Sequence, residues 1–184
     1  ILGTAIEFRS TPTTANWTVG EDIGITLRSM EDPSRFRDPD TKDGSNWIST
    51  QGCFPSRQND WCGVHTNSGV QNFWFYLLSE GGSGTNDNGD LYDVSGLGMD
   101  TAVLIAYRNL SVYLGRTSDY DDARFYSIQS AIDLYGPCSK EVESVTNAWH
   151  AVGLGEMYVP GVISDFTTVD STSCKVPFDV SFNN

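Results

Sequence analysis

Basic residues are scarce in this sequence: 11 Lys and Arg stand against 24 Asp and Glu, a net charge of −13 over 184 residues. So acidic a chain repels phosphate backbones, which argues against nucleic acid as a partner. Nothing approaches eighteen consecutive apolar residues, so no membrane span is expected. There is no initiating Met and no basic leader. Ile1 starts in mid-pattern, and the chain reads as cut from something longer. The only histidines are His65 and His150, so no H-E-x-x-H pair exists. G-x-S-x-G and a phosphate-cradling glycine loop are missing too. Closely spaced cysteine pairs are absent, which argues against a cysteine zinc site.

What remains is a sequence rich in Gly, Asn, Ser, Thr and Asp, as expected of a loop-rich extracellular protein. Its four cysteines, Cys53, Cys62, Cys138 and Cys174, suggest two disulfides. Three connectivities are possible, and Cys53–Cys62 with Cys138–Cys174 is the preferred one. The acidity serves solubility, or supplies the carboxylate oxygens that calcium takes.

The chain divides into three parts. Residues 1 to about 64 hold one short apolar start and then mostly turns. Residues 65 to 153 carry helical patterning. Val70, Phe73, Trp74, Leu77 and Leu78 make one apolar stripe, stopped by Gly81-Gly82. A second helix is expected from Asp100, as N-cap, to Leu114, with Val103, Ala106, Tyr107, Leu110 and Leu114 facing inward. A third runs from Asp119 to Tyr135, with Asp119, Asp121 and Asp122 at its positive end and Gly136-Pro137 after it. A fourth starts at the N-cap Ser139 and buries Val142, Val145, Trp149 and Val152. Val176 to Phe182 then alternates with period two, like a first strand of an Ig-like module.

One segment carries chemistry. His150 lies on the fourth helix and reads as a surface or half-buried helical histidine. His65 stands just before the first long helix, in Asp60-Trp61-Cys62-Gly63-Val64-His65-Thr66-Asn67-Ser68-Gly69. The plain reading is an N-cap. The chemical reading is that Asp60 folds back onto the ring and fixes its tautomer, giving a positioned donor suited to a developing oxyanion.

The block Gly63-Val64-His65-Thr66-Asn67-Ser68-Gly69 resembles the thermolysin-like zinc metallopeptidases. So do Gly20-Glu21-Asp22-Ile23, Leu27-Arg28-Ser29-Met30, Asp32-Pro33, Asp38-Pro39-Asp40, Ala131 to Gly136, and Trp149 to Gly153. The blocks occur in family order over residues 1 to about 154. The resemblance implies a mainly α fold: the orthogonal helix bundle of the carboxy-terminal lobe over residues 1–155, after a loop-rich start. Residues 156–184 are then a linker and the first strand of a possible Ig-like domain of the polycystic-kidney-disease type.

The resemblance also assigns residues. His65 takes the place of the histidine that hydrogen-bonds the tetrahedral intermediate, and Asp60 that of the aspartate orienting it. Arg28 matches the arginine that binds the substrate carbonyl beyond the scissile bond. Val19, Ile23 and Leu27 match the apolar primed-side pocket. Glu7, Asn16 and Glu21 match calcium positions, with Asn16 where an aspartate is usual. Thr18 replaces a common glutamate, which implies one calcium rather than two. The zinc ligands and the general base would lie upstream, so no zinc ligand is expected in this chain. The implied protein is a secreted zinc metalloendopeptidase, with an amino-terminal lobe and a peptide as partners, and this half inactive alone. The alternative is a degenerate, non-catalytic structural or binding module. Intact His65, Asp60 and Arg28 argue against that, because decay has no need to keep all three.

Overall fold

The computed structural model describes residues 1–160, 162–163 and 172–173. Helix α1 (Leu2–Ser10) leads into a short antiparallel pair, β1 (Thr18–Val19) and β2 (Arg28–Ser29), in the register Val19 opposite Arg28. Turns and short 3₁₀ segments follow to residue 67. Helix α2 (Ser68–Glu80) then begins the helical part. It continues through a hairpin, β3 (Gly82–Thr85) and β4 (Leu91–Val94), and helices α3 (Met99–Arg108), α4 (Tyr120–Tyr135) and α5 (Lys140–Ala151). Val162–Ile163 and Thr172–Ser173 form a last antiparallel pair, β5 and β6. The fold is mainly α, as the sequence implies. The strand expected over 176–182 lies outside the described residues.

Apolar periodicity builds the core. Val70, Trp74, Leu77 and Leu78 of α2 are buried, as are Val142, Val145 and Trp149 of α5. Trp74 and Trp149 stack with centroids 4.7 Å apart, and Trp149 donates its indole N–H to Ser127 Oγ of α4 at 2.7 Å. Burying each such side chain is worth about 1.5–3 kcal/mol. α2 is therefore a rigid base for whatever its first turn presents. Gly81 ends it with φ 83°. Asp119 caps α4 by accepting from the N–H groups of Asp121 and Asp122, and Ser139 caps α5 by accepting from Val142.

Two expectations need correction. The hairpin at 82–94 interrupts the helical run. Its first strand, Gly82-Ser83-Gly84-Thr85, has too little β-branched or aromatic content to show in a pattern. Asn86 closes its turn by accepting from the N–H groups of Asn88 and Asp90. In α3 the N-cap is Gly98, with Asp100 in the first turn. The buried face there is Ala102, Ile105 and Asn109, while Tyr107 and Leu110 are exposed. α3 packs against both α2 and α4, so the stripe between them is central and the larger residues fall on its flank. A π-helical turn at Asn109–Tyr113 follows, held where Asn109 Nδ2 donates to Ala123 O.

His150 is a structural residue. Its ring nitrogens lie 3.0 Å from Gly155 O and 3.2 Å from Leu91 O, so it ties α5 to the following loop and to β4.

Candidate active-site wall

The site is built on the turn before α2. Asp60, Trp61, Cys62 and Gly63 have φ of 53°, 50°, 67° and 79°, one turn of left-handed helix. Three of these four are not glycine, so the surroundings must hold the turn in place. The Cys53–Cys62 disulfide does so from one side. Asn59 does so from the other, accepting from the N–H groups of Ser56 and Cys62 and donating to Phe54 O. Cys138 is also disulfide-bonded, and its expected partner Cys174 lies outside the described residues.

The turn brings Asp60 back under His65. Asp60 Oδ1 lies 2.5 Å from His65 Nδ1. Oδ2 accepts from the backbone N–H groups of His65 and Thr66 at 2.9 and 2.8 Å, and from the Thr66 hydroxyl at 3.0 Å. The His65 bond, then those from Thr66, hold this carboxyl well below the usual carboxylate range. It stays an anion and an acceptor. It fixes the His65 tautomer with Nδ1 inward and Nε2 outward, and the His65 side chain is 64% exposed. The N-cap reading of His65 therefore fails, because its ring is engaged by Asp60 and α2 begins at Ser68.

Arg28 arrives on β2. Its Nη1 donates to His65 O and Ser68 Oγ, both at 2.6 Å, and lies 3.4 Å from Asp38 Oδ2. The two shorter bonds set its position, and the longer ion pair only assists. Burial pushes the Asp38 carboxyl up, and Arg28 opposes that. Nη2 and Nε have no partner among the described residues, so part of the guanidinium fork remains for a ligand. Ser68 Oγ donates back to His65 O at 2.6 Å, so guanidinium and imidazole share one support.

Sequence reasoning did not assign roles to Asn67, Ser68 and Gly69, although all stand in the same block as His65. Asn67 locks the segment to the preceding loop: its Nδ2 donates to Ile48 O and its Oδ1 accepts from Ile48 N. Tyr120 of α4 donates to Asn67 O at 2.7 Å, and burial pushes that phenol up to about 12, which keeps it a donor. A Cβ at Gly69 would lie 2.4 Å from Pro39 O, so only glycine lets α2 approach the loop carrying Asp38.

Val19, Ile23 and Leu27 are exposed. Leu27 N donates to Val19 O, and Val19 pairs with Arg28, so the apolar surface adjoins the guanidinium. Of the three residues expected to hold calcium, Glu21 and Asn16 come together. The backbone N–H of Glu21, with the Thr18 and Asn16 side chains, holds the Glu21 carboxyl below the ordinary value. Its other oxygen, Oε1, is buried with no hydrogen-bond partner. Glu7 lies on α1, and its side chain bonds to neither residue. Among the described residues no cluster of three His, Cys, Asp or Glu is gathered for a metal ion. An open pocket of 690 Å³ lies next to the cluster, lined by Trp47, Val64, Asn67, Ser68, Gln71 and Tyr120 among others, but not by His65 or Arg28. The His65 side chain is largely exposed and that of Arg28 partly so.

Fold and site together define a helical lobe that presents an oriented imidazole and an anchored guanidinium on one open wall. A sequence model described as thermolysin metallopeptidase, alpha-helical domain, matches residues 1–154, and the chain belongs to that family. It is 41% identical over 160 residues to a bacillolysin of Bacillus caldolyticus and to a thermolysin of Alicyclobacillus acidocaldarius subsp. acidocaldarius. It is 36% identical to a bacillolysin of Bacillus cereus. The matches to the first two take in 84% of this chain but only 27% of each relative, so the chain spans about a quarter of the length of the curated relatives it matches.

Proposed function

We propose that this chain is one wall of the active cleft of a secreted zinc metalloendopeptidase. The observation that carries the reading is the Asp60–His65–Arg28 cluster: an imidazole fixed by a carboxylate on one side and sharing a backbone support with a guanidinium on the other.

In this reading His65 Nε2 donates a hydrogen bond to the oxygen that gains charge as the scissile carbonyl is attacked. Because Nδ1 is already held by Asp60, Nε2 donates only while the ring carries both protons, and Asp60 offsets that charge. Arg28 holds the next carbonyl with the free part of its fork. Val19, Ile23 and Leu27 take a large apolar side chain after the scissile bond. An upstream lobe carries the zinc ligands and the base, and zinc bound there supplies an activated water. No ligand for it is assigned within this chain, and the chain alone is expected to be inactive. The unpartnered Glu21 Oε1 supports one calcium held by Glu21 and Asn16, with Glu7 completing the set in the intact protein.

The test is His65→Ala in the two-lobed enzyme. Removing a donor to a developing oxyanion lowers kcat by roughly a hundredfold to a thousandfold with little change in KM. Near-normal turnover by His65→Ala overturns the assignment.

A further inference from the structure

Trp61 has no part in the chemistry above, yet it is the most conspicuous residue of the left-handed turn. Its φ is 50°, a conformation that a bulky residue rarely adopts. About half of its surface nevertheless stays exposed, 51% of the residue. The backbone is held there regardless: Trp61 N donates to Ser56 O at 2.7 Å, and the next residue is clamped by the Cys53–Cys62 disulfide and by Asn59. The result is an indole fixed edge-on to the His65 ring, with centroids 6.3 Å apart. An exposed aromatic held at a costly backbone position beside a working imidazole is better explained by a ligand than by folding.

Resting on the function proposed above, we infer that Trp61 is a specificity-determining residue that contacts the substrate residue bearing the scissile carbonyl. His65 is aimed at that carbonyl, and Trp61 flanks His65. In the function proposed above, Arg28 and the Val19–Leu27 residues serve the following residue, which leaves the one bearing the scissile carbonyl to Trp61. The chemistry selected is a large apolar or aromatic side chain, because an indole face and edge offer ring contact and dispersion but no charge. The turn holds the Trp61 backbone in place beforehand, so the chain itself has little left to order on binding.

The experiment uses the two-lobed enzyme and two peptides that differ only in Phe or Ala immediately before the scissile bond. Trp61→Asn keeps a residue that tolerates left-handed backbone, and Trp61→Phe keeps an aromatic ring. The readout is the ratio of kcat/KM for the Phe peptide over the Ala peptide. In Trp61→Asn the ratio falls about tenfold, mainly through KM on the Phe peptide, a size usual for losing one apolar contact. In Trp61→Phe most of the ratio returns. An unchanged ratio in Trp61→Asn overturns the inference. So does an equal loss on both peptides carried by kcat, which marks Trp61 as a mere support for His65. His65→Ala, measured alongside, separates the two claims. If it keeps its kcat, the underlying function fails. If it loses kcat while the Trp61→Asn ratio holds, only the role of Trp61 falls.

Discussion

At the scale of residues, the proposed chemistry rests on a division of labour among three side chains. His65 donates only as charge develops, so its effect belongs in kcat. Asp60 orients the ring and balances its charge. Asp60→Asn keeps an acceptor near Nδ1, so it lowers kcat by less than His65→Ala does. In the proposed function Arg28 touches the substrate before and during reaction, so Arg28→Ala is expected to raise KM as well as lower kcat. Steady-state kinetics on the three variants check this ranking, and a larger kcat loss in Asp60→Asn than in His65→Ala contradicts it. The sequence made these residues legible because each stands in a short block whose chemistry depends on spacing. It did not reveal their supports. The bidentate lock of Asn67 on Ile48 and the Ser68 bridge to Arg28 join residues 19 and 40 positions apart. Local pattern carries no information about such pairs.

At the scale of elements, helix ends were the most readable feature. Asp119, Ser139, Gly81 and Gly136 act where short polar side chains and glycine have a local reason to act. The face of α3 was partly readable: Val103 and Ala106, and Leu114 beyond its end, pack against the core, but two neighbouring helices decide which residues are fully buried. The left-handed turn at Asp60–Gly63 was hidden as well, since Trp61 and Cys62 have no preference for that conformation and depend on the disulfide and Asn59.

One inter-element tie gives a pH prediction. Asp133 of α4 accepts from Tyr113 in the π-helical turn, from Gln129 in its own helix, and from Arg108 of α3. Tyr113 first, then Gln129 and Arg108, lower the Asp133 carboxyl to about 2. A carboxyl depressed in the folded state stabilises the fold above its unfolded pKa of about 3.9. That contribution fades as pH falls through about 2. Asp133→Asn is therefore less stable than the parent at pH 7, and the gap narrows between pH 4 and pH 2. Denaturant midpoints of the two-lobed protein at pH 7, 4 and 2.5 measure it. A gap that stays constant across these values contradicts the tie.

At the scale of the whole molecule, the open face matters most. Asp60, His65 and Arg28, which separate sequence blocks pointed to, adjoin one another, and the proposed function assigns the other wall and the metal to an upstream lobe. The architecture was legible as a class, from helical periodicity and family order. The proposed calcium site belongs at this scale too, because Glu7 on α1 and Glu21 between β1 and β2 sit on separate elements. Calcium binding only the folded state adds about 2.7 kcal/mol at a hundred times its dissociation constant. Calcium is thus expected to raise the Tm of the two-lobed protein, and Glu21→Gln to remove most of that rise. An undiminished shift in Glu21→Gln places the ion elsewhere.

The central claim is that this lobe binds the transition state through His65. The most direct measurement is the affinity of a tetrahedral phosphorus analogue of the scissile peptide for the parent enzyme and for His65→Ala, set beside kcat/KM of the matching substrate. Complementarity to the transition state makes the two losses equal, about a hundredfold to a thousandfold each, while affinity for the ground-state peptide hardly changes. An analogue that binds His65→Ala as tightly as the parent contradicts the account.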